Sequence, residues 1–135
     1  MWAAPHPRAA PVGDSFGAAC PVIASRIARP LFWAALLLAV SMALLPHPPQ
    51  LLDSVGDKYQ HMTAFGTLTV LAAAAWPGTP LLRLGEHLSF AGALIEVLQS
   101  IPALHRDCDV WDWVADTVVI VGVLLVVRLA RTRAT

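Results

Sequence analysis

Residues 118–127 read VVIVGVLLVV, a run in which every residue but one is β-branched or leucine. In a soluble protein this run would be typical of a buried strand. It belongs, however, to a longer apolar stretch, Trp113–Leu129. Three further apolar stretches of helix length precede it along the chain: Leu31–Leu45, Tyr59–Trp76 and Leu81–Ile101. Lipid requires each spanning segment to satisfy its own backbone hydrogen bonds, which favours helices. The sequence therefore predicts an all-α membrane bundle of four transmembrane helices.

The composition supports a membrane environment and argues against several classes of partner. Hydrophobic residues make up 57% of the chain and charged residues 13%, against roughly 45–50% and 25% in soluble domains. The net charge of zero gives no support to a nucleic-acid partner. The two cysteines, Cys20 and Cys108, do not have the spacing of metal ligands. We therefore expect membrane lipids as partners, and neither a metal nor a cofactor.

Prolines and basic residues divide the chain into three parts. Residues 1–26 are rich in alanine and proline and predict a disordered tail, residues 27–130 form the transmembrane domain, and residues 131–135 form a basic C-terminal tail. The basic residues fall unevenly on the two sides of the predicted bundle. Seven lie in the two tails and the middle loop, and two lie in the other loops: Arg8, Arg26, Arg29, Arg83, Arg128, Arg131 and Arg133, against Lys58 and Arg106. This bias predicts a multi-pass protein of the cytoplasmic membrane with both termini in the cytoplasm.

Polar residues recur near the ends of three predicted helices on the outer side. Residues four or three apart share one helix face, and this relation holds for Asp57 with His61, Glu96 with Gln99, and Asp112 with Asp116. Ionisable groups are costly at membrane depth, so we expect these to face one another across an outward-facing pocket. The ligand-binding residues predicted for this pocket are Asp57, Lys58, His61, Glu96, Gln99, Arg106, Asp112 and Asp116. The plainer interpretation is that they hold the helices together, at roughly 0.6 kcal/mol for each hydrogen bond.

The order of these residues resembles the VanZ-like family of small bacterial integral membrane proteins. The resemblance covers residues 31–130 and rests on Asp57-Lys58-x-x-His61, on Gly92-x-x-x-Glu96-x-x-Gln99 with Pro102 after it, on Arg106, and on Asp112 before the last helix. Two positions depart from the family's usual pattern: Asp116 stands where asparagine is common, and Val119 where glycine is usual. The family's founding member is associated with resistance to teicoplanin, a function that a shared domain does not transfer.

Three functions are compatible with the outer pocket. The first is a binding protein that recognises a lipid headgroup, a cell-wall precursor or an amphiphilic glycopeptide, with Arg106 contacting an anionic group. The second is a membrane enzyme acting on a lipid-linked substrate, with Glu96, Asp112 and Asp116 around a divalent cation and His61 as general base. The third is a small transporter, which would need to form a homo-oligomer. The sequence favours the binding protein over an enzyme because it contains no nucleophile elbow, phosphate loop or dense histidine motif.

Overall fold

The computed structural model describes the backbone of residues 15–45, 57–102 and 109–133, and the side chains of residues 24–45, 59–102 and 109–133. These residues form four helices and no strand, which confirms the all-α prediction. The helices are α1 (Ser15–Leu44), α2 (Asp57–Ala75), α3 (Leu81–Gln99) and α4 (Val110–Arg133).

The first helix is longer than the apolar stretch that predicts it. It begins at Ser15, within the range 1–26 for which the sequence predicts a disordered tail, and residues 1–14 lie outside the described residues. The added residues include several alanines, which have the highest helix propensity. Pro21 and Pro30 lie inside this helix and each removes one backbone donor.

The second helix lies at the centre of the bundle. It packs against α1 on one side and α4 on the other, and α3 packs mainly against α4. The interior is built from aliphatic and aromatic side chains of all four helices: Phe32, Phe65, Leu68, Leu88, Ile95 and Ile120. Gly92 lets α3 approach its neighbours closely, because an added Cβ would lie 3.3 Å from Phe65 Cζ and 3.5 Å from Trp113 Cδ1.

The outer faces of all four helices carry large apolar side chains. The exposed residues include Trp33 and Leu37 on α1, Val70 on α2, Leu82 and Phe90 on α3, and Val118 and Leu125 on α4. Hydroxyl groups on these faces bond within their own helix. Thus Ser41, Thr63 and Thr67 each donate to the carbonyl four residues earlier, at 2.7–2.8 Å. These hydroxyl groups therefore do not need hydrogen-bond acceptors from the surroundings of the bundle.

Two of the four helices are long and apolar enough to cross a membrane. These segments are Ala24–Leu44 and Val110–Arg133. The third helix does not meet the same criterion and contains three charged residues, Arg83, Glu86 and Glu96. By length and composition, two apolar helices give limited support to the prediction of a membrane protein.

Two arginines bind the C-terminal end of α2. Arg29 Nε donates to the Ala75 carbonyl at 3.1 Å. Arg131 Nη2 donates to the Ala73 carbonyl at 2.9 Å, and its Nη1 to the Pro77 carbonyl at 3.4 Å. The last carbonyls of a helix have no partner within the helix and carry partial negative charge. The two guanidinium groups thus join α1 and α4 to the end of α2.

We expect Arg131→Ala to lower the thermal stability of the purified protein. The substitution removes two charge-assisted hydrogen bonds, one to α2 and one to the Pro77 carbonyl just beyond it, each worth about 1.5–3 kcal/mol where it is shielded from water and less where it is exposed. Arg128→Ala is the matched control, because Arg128 is an exposed arginine one turn earlier on α4. Melting curves in detergent should show a lower Tm for Arg131→Ala alone. Equal melting of the two variants would mean that the α2 contacts of Arg131 contribute nothing.

Candidate functional site

The ends of all four helices meet on the side of the bundle opposite the two arginines. Gln99 Nε2, at the end of α3, donates to the Ala43 carbonyl near the end of α1 at 3.0 Å. The Asp109 amide, directly before α4, donates to Glu96 Oε2 on α3 at 3.2 Å. His61, four residues into α2, faces both α3 and α4. Polar groups therefore determine how the four ends are assembled.

A buried histidine lies between two buried carboxyl groups. His61 Nδ1 is 3.6 Å from Asp116 Oδ2 and 4.0 Å from Glu96 Oε1. The three residues are only 8%, 2% and 5% exposed in the order His61, Asp116, Glu96. These separations are longer than hydrogen bonds, so the attraction is electrostatic and is present only when the imidazole is protonated. With the buried Asp112, these residues form what we call the polar cluster: His61, Glu96, Asp112 and Asp116.

Asp116 is the member of the cluster whose hydrogen bonds are least satisfied. Within the part of the chain that the structure describes, neither of its carboxyl oxygens has a hydrogen-bond partner. A buried polar atom left without a partner costs about 1–3 kcal/mol, and more if it is charged. Such atoms are rare in native proteins and are commonly satisfied by a water molecule, an ion or a ligand. Asp116 therefore requires a hydrogen-bond donor.

The start of α4 is fixed by Asp109, which the sequence analysis did not single out. Its Oδ1 accepts a hydrogen bond from the Trp111 amide at 2.9 Å, and its carbonyl accepts one from the Asp112 amide at 2.8 Å. These bonds make Asp109 the N-terminal cap of α4. The pattern Asp109-x-x-Asp112 ahead of an apolar run was the signal that could have revealed it. The cap determines the direction in which Asp112 and Asp116 enter the cluster.

A second set of contacts joins α3 to α4 beneath the cluster. Trp113 Nε1 donates to the Ser89 carbonyl at 3.1 Å and lies 3.2 Å from Ser89 Oγ. The Ser89 and Thr117 hydroxyls are 2.9 Å apart and share a hydrogen bond. Thr117 follows Asp116 directly, so this network limits the rotation of α4 and fixes the height of the Asp116 carboxyl group.

The structure brings together five of the eight residues predicted for the site. His61, Glu96, Asp112 and Asp116 are buried at one end of the bundle, and Gln99 lies beside them at 2% exposure. The Gln99 amide donates to α1, so at least one of its donors serves the packing of helices. The remaining three predictions concern groups outside the described residues: the side chains of Asp57 and Lys58, and the whole of Arg106.

A cavity of about 70 Å³ borders the polar cluster on the side of α1 and α2. Its walls are mostly apolar, and His61 and Gln60 supply the polar groups. The lining residues are Ala39, Met42, Ala43, Gln60, His61, Ala64, Phe65 and Ile95. His61 belongs both to this wall and to the cluster, so it is the residue that the cavity and the two carboxyl groups share.

The polar cluster does not have the geometry of a metal site. Within residues 24–45, 59–102 and 109–133, no group of three His, Cys, Asp or Glu side chains is arranged to hold a metal ion. The arrangement can instead hold an imidazole in one orientation, since a carboxylate facing Nδ1 favours the tautomer with its proton on that nitrogen.

The chain was compared with protein-family models, curated proteins and solved structures, and none of the three comparisons gave a match.

Proposed function

We propose that the chain is a VanZ-like protein of the bacterial cytoplasmic membrane, that all four helices cross the bilayer, and that both termini face the cytoplasm. The exposed apolar faces of the helices support this proposal. Helix α3 has such a face too, although its three charged residues, Arg83, Glu86 and Glu96, lower its mean hydropathy. Of those three charges, Glu96 is buried inside the bundle, and Arg83 and Glu86 lie in the first turns of the helix. The face that α3 would turn to lipid is thus apolar over most of its length.

We expect both ends of the protein to be cytoplasmic in a topology assay. The basis is the excess of arginine in the tails and the middle loop. A reporter fused after Thr135 should be active only in its cytoplasmic form. A cysteine at position 52, or the native Cys108, should react with an impermeant thiol reagent added outside the cell. An externally accessible C-terminus would contradict the four-span arrangement.

The proposed activity is the binding of an amphiphilic ligand at the outer end of the bundle. The ligand would be a lipid headgroup, a cell-wall precursor or an amphiphilic glycopeptide. The observation that carries this proposal is the unsatisfied Asp116 beside His61, because His61 also lines a cavity whose wall is apolar except for His61 and Gln60. Such a combination of apolar walls with a few convergent polar groups is typical of small-ligand sites. Holding four helices together does not require a buried carboxyl group without a donor.

A membrane enzyme acting on a lipid-linked substrate is the second candidate. His61 beside two carboxyl groups favours it, because a carboxylate that fixes an imidazole tautomer is the usual arrangement of a general base. An enzyme would change the bound molecule chemically, whereas a binding protein would release it unchanged. Chemical analysis of the bound molecule after incubation therefore distinguishes the two candidates.

Lipid analysis of the purified protein tests the proposed binding. Native mass spectrometry should find a lipid that is enriched over its share of the membrane. Ala64→Leu places extra volume in the cavity and should reduce retention on the order of tenfold, equivalent to about 1.4 kcal/mol. Ala74→Leu is the matched control, since Ala74 is an exposed alanine on the same helix.

Two results would count against the binding proposal. One is a bound lipid population no different from that of the bulk membrane. The other is equal lipid retention by Ala64→Leu and Ala74→Leu, which would place the ligand elsewhere on the surface. A retained lipid that is chemically altered over time would replace the binding function with the enzymatic one.

A further inference from the structure

We infer that the polar cluster receives the primary ammonium group of a phospholipid headgroup, an inference that rests on the proposed binding function. The inference narrows the ligand from an unspecified amphiphile to one chemical class. It is carried by the charge at this end of the bundle, by the unsatisfied Asp116, and by the position and size of the cavity.

The outer end of the bundle has an excess of acidic residues. Among the side chains that the structure describes at this end, residues 59–61, 96–102 and 109–116, four are acidic, Glu96, Asp109, Asp112 and Asp116, and none is a lysine or an arginine. Of the arginines, Arg29 and Arg131 donate to carbonyls at the opposite end of α2. These carbonyls, of Ala73 and Ala75, lie twelve and fourteen residues beyond His61, or about 18–21 Å along the helix. A cationic ligand is therefore attracted to the outer end, and a simple anion is repelled.

Asp116 provides a second observation, independent of the charge: it has no hydrogen-bond donor among the described residues. It is 2% exposed, and its two oxygens have no hydrogen-bond partner among the described residues. His61 Nδ1 faces Oδ2 at 3.6 Å, which is beyond hydrogen-bond distance. An ammonium group carries three N–H donors and can satisfy oxygens of two carboxyl groups at once. Asp116 and Glu96 both face the same imidazole nitrogen, so an ammonium group that took the place of that nitrogen would lie near both carboxyl groups.

The cavity determines how such a group would enter. His61 forms part of the cavity wall and its Nδ1 faces both carboxyl groups, so a change of its side-chain rotamer would connect the cavity with Asp116. A cavity of about 70 Å³ admits several water-sized groups, which suits a compact aminoethyl headgroup. The apolar wall formed by Ala39, Phe65 and Ile95 would contact the carbon atoms beside the ammonium group.

The number of N–H donors is what should distinguish one headgroup from another. A primary ammonium offers three donors, whereas the quaternary ammonium of a choline headgroup has the same charge and none. A glycerol headgroup has hydroxyl donors on a lipid with a net negative charge. If charge alone selected the ligand, the primary and quaternary ammonium headgroups would bind alike. If the donors matter, only the primary ammonium satisfies Asp116.

The test is a titration of the delipidated full-length protein with phosphatidylethanolamine, phosphatidylcholine and phosphatidylglycerol of identical acyl chains, read by native mass spectrometry. We expect phosphatidylethanolamine to bind more tightly than either of the others, on the order of tenfold. Asp116→Asn, which keeps the shape and removes the charge, should abolish this preference. Glu86→Gln is the matched control, an exposed acid on α3 away from the cluster, and should keep it.

Each alternative result has a distinct meaning. Equal binding of the ethanolamine and choline lipids, or tighter binding of phosphatidylglycerol, would overturn the ammonium inference while leaving headgroup binding in place. Free phosphoethanolamine that binds as tightly as its lipid would overturn the membrane source of the ligand. Absence of binding by all three lipids would overturn the ammonium inference and leave a cell-wall precursor or an amphiphilic glycopeptide as the ligand of the proposed function. Because these comparisons use the parent protein, they hold even if Asp116→Asn does not fold.

Discussion

Replacing Phe90 by lysine is expected to remove most of the protein from the membrane fraction. Phe90 lies near the middle of α3 and is 71% exposed, so in a four-span bundle its ring faces the hydrocarbon core. A charged side chain at the centre of a spanning helix costs about 2.5–3.5 kcal/mol on insertion scales. In a bundle surrounded by water, the same exposed substitution would cost almost nothing. Quantitative immunoblotting of membrane and soluble fractions measures the effect.

Leu82→Lys provides the control for this experiment. Leu82 is 73% exposed, but it lies in the first turn of α3 beside Arg83. A lysine there can extend its ammonium group to the headgroup region, so insertion should be close to that of the parent. The difference between the two variants therefore reports how deep each position lies in the bilayer, and not the general effect of adding a charge. If both variants insert equally well, α3 does not cross the membrane and the four-span proposal is wrong.

The sequence predicts the number of helices well and their ends less well. Apolar stretches at Tyr59–Trp76 and Leu81–Ile101 correspond closely to α2 and α3, because turn residues and prolines bound them. The fourth helix instead begins at Val110 and ends at Arg133. The apolar stretch that predicts this helix ends where charged residues begin. The backbone hydrogen bonds of the helix, however, include Asp112 at its start and the arginines at its end. The Asp109 cap determines the start of α4, and this is a local signal that hydropathy does not contain.

Contacts between helices are the part that the sequence left undetermined. Helical spacing predicts that His61, Glu96, Asp112 and Asp116 lie at one level, and their side chains are buried together. Spacing within one helix does not show which neighbour a side chain meets. Thus Gln99, predicted as a ligand-binding residue, donates to an α1 carbonyl.

Two further interhelical contacts illustrate the same limit. Arg29 stands at the edge of an apolar stretch, and its role in the structure is to bind the end of α2, where unsatisfied carbonyls attract a guanidinium group. Gly92 and Gly122 both interrupt apolar helices. Gly92 lies in a close contact between helices, but an added Cβ at Gly122 would meet nothing within 4 Å. A glycine allows a neighbouring helix to approach closely, but only the packing of the helices shows whether one does.

The largest stability difference within the polar cluster is expected between Glu96→Ala and Glu96→Gln. Glu96 Oε2 accepts the Asp109 amide at 3.2 Å and thereby ties α3 to the cap of α4. Alanine removes this acceptor, empties a buried volume and leaves the amide without a partner, at a cost of about 2–3 kcal/mol. Glutamine keeps an oxygen at the same position and should cost less than about 1 kcal/mol. The measurement is the Tm of each purified variant in detergent.

Glu86→Ala completes this comparison because Glu86 is an exposed glutamate on the same helix, ten residues earlier. We expect its Tm to match the parent, so that any loss in Glu96→Ala reflects the buried contact and not a general effect of removing a carboxyl group from α3. If Glu96→Gln melts as early as Glu96→Ala, the negative charge beside His61 is what stabilises the cluster. The Asp109 hydrogen bond would then be secondary, and the attraction between Glu96 and His61 across 4.0 Å would be the main link between α2 and α3 at this end.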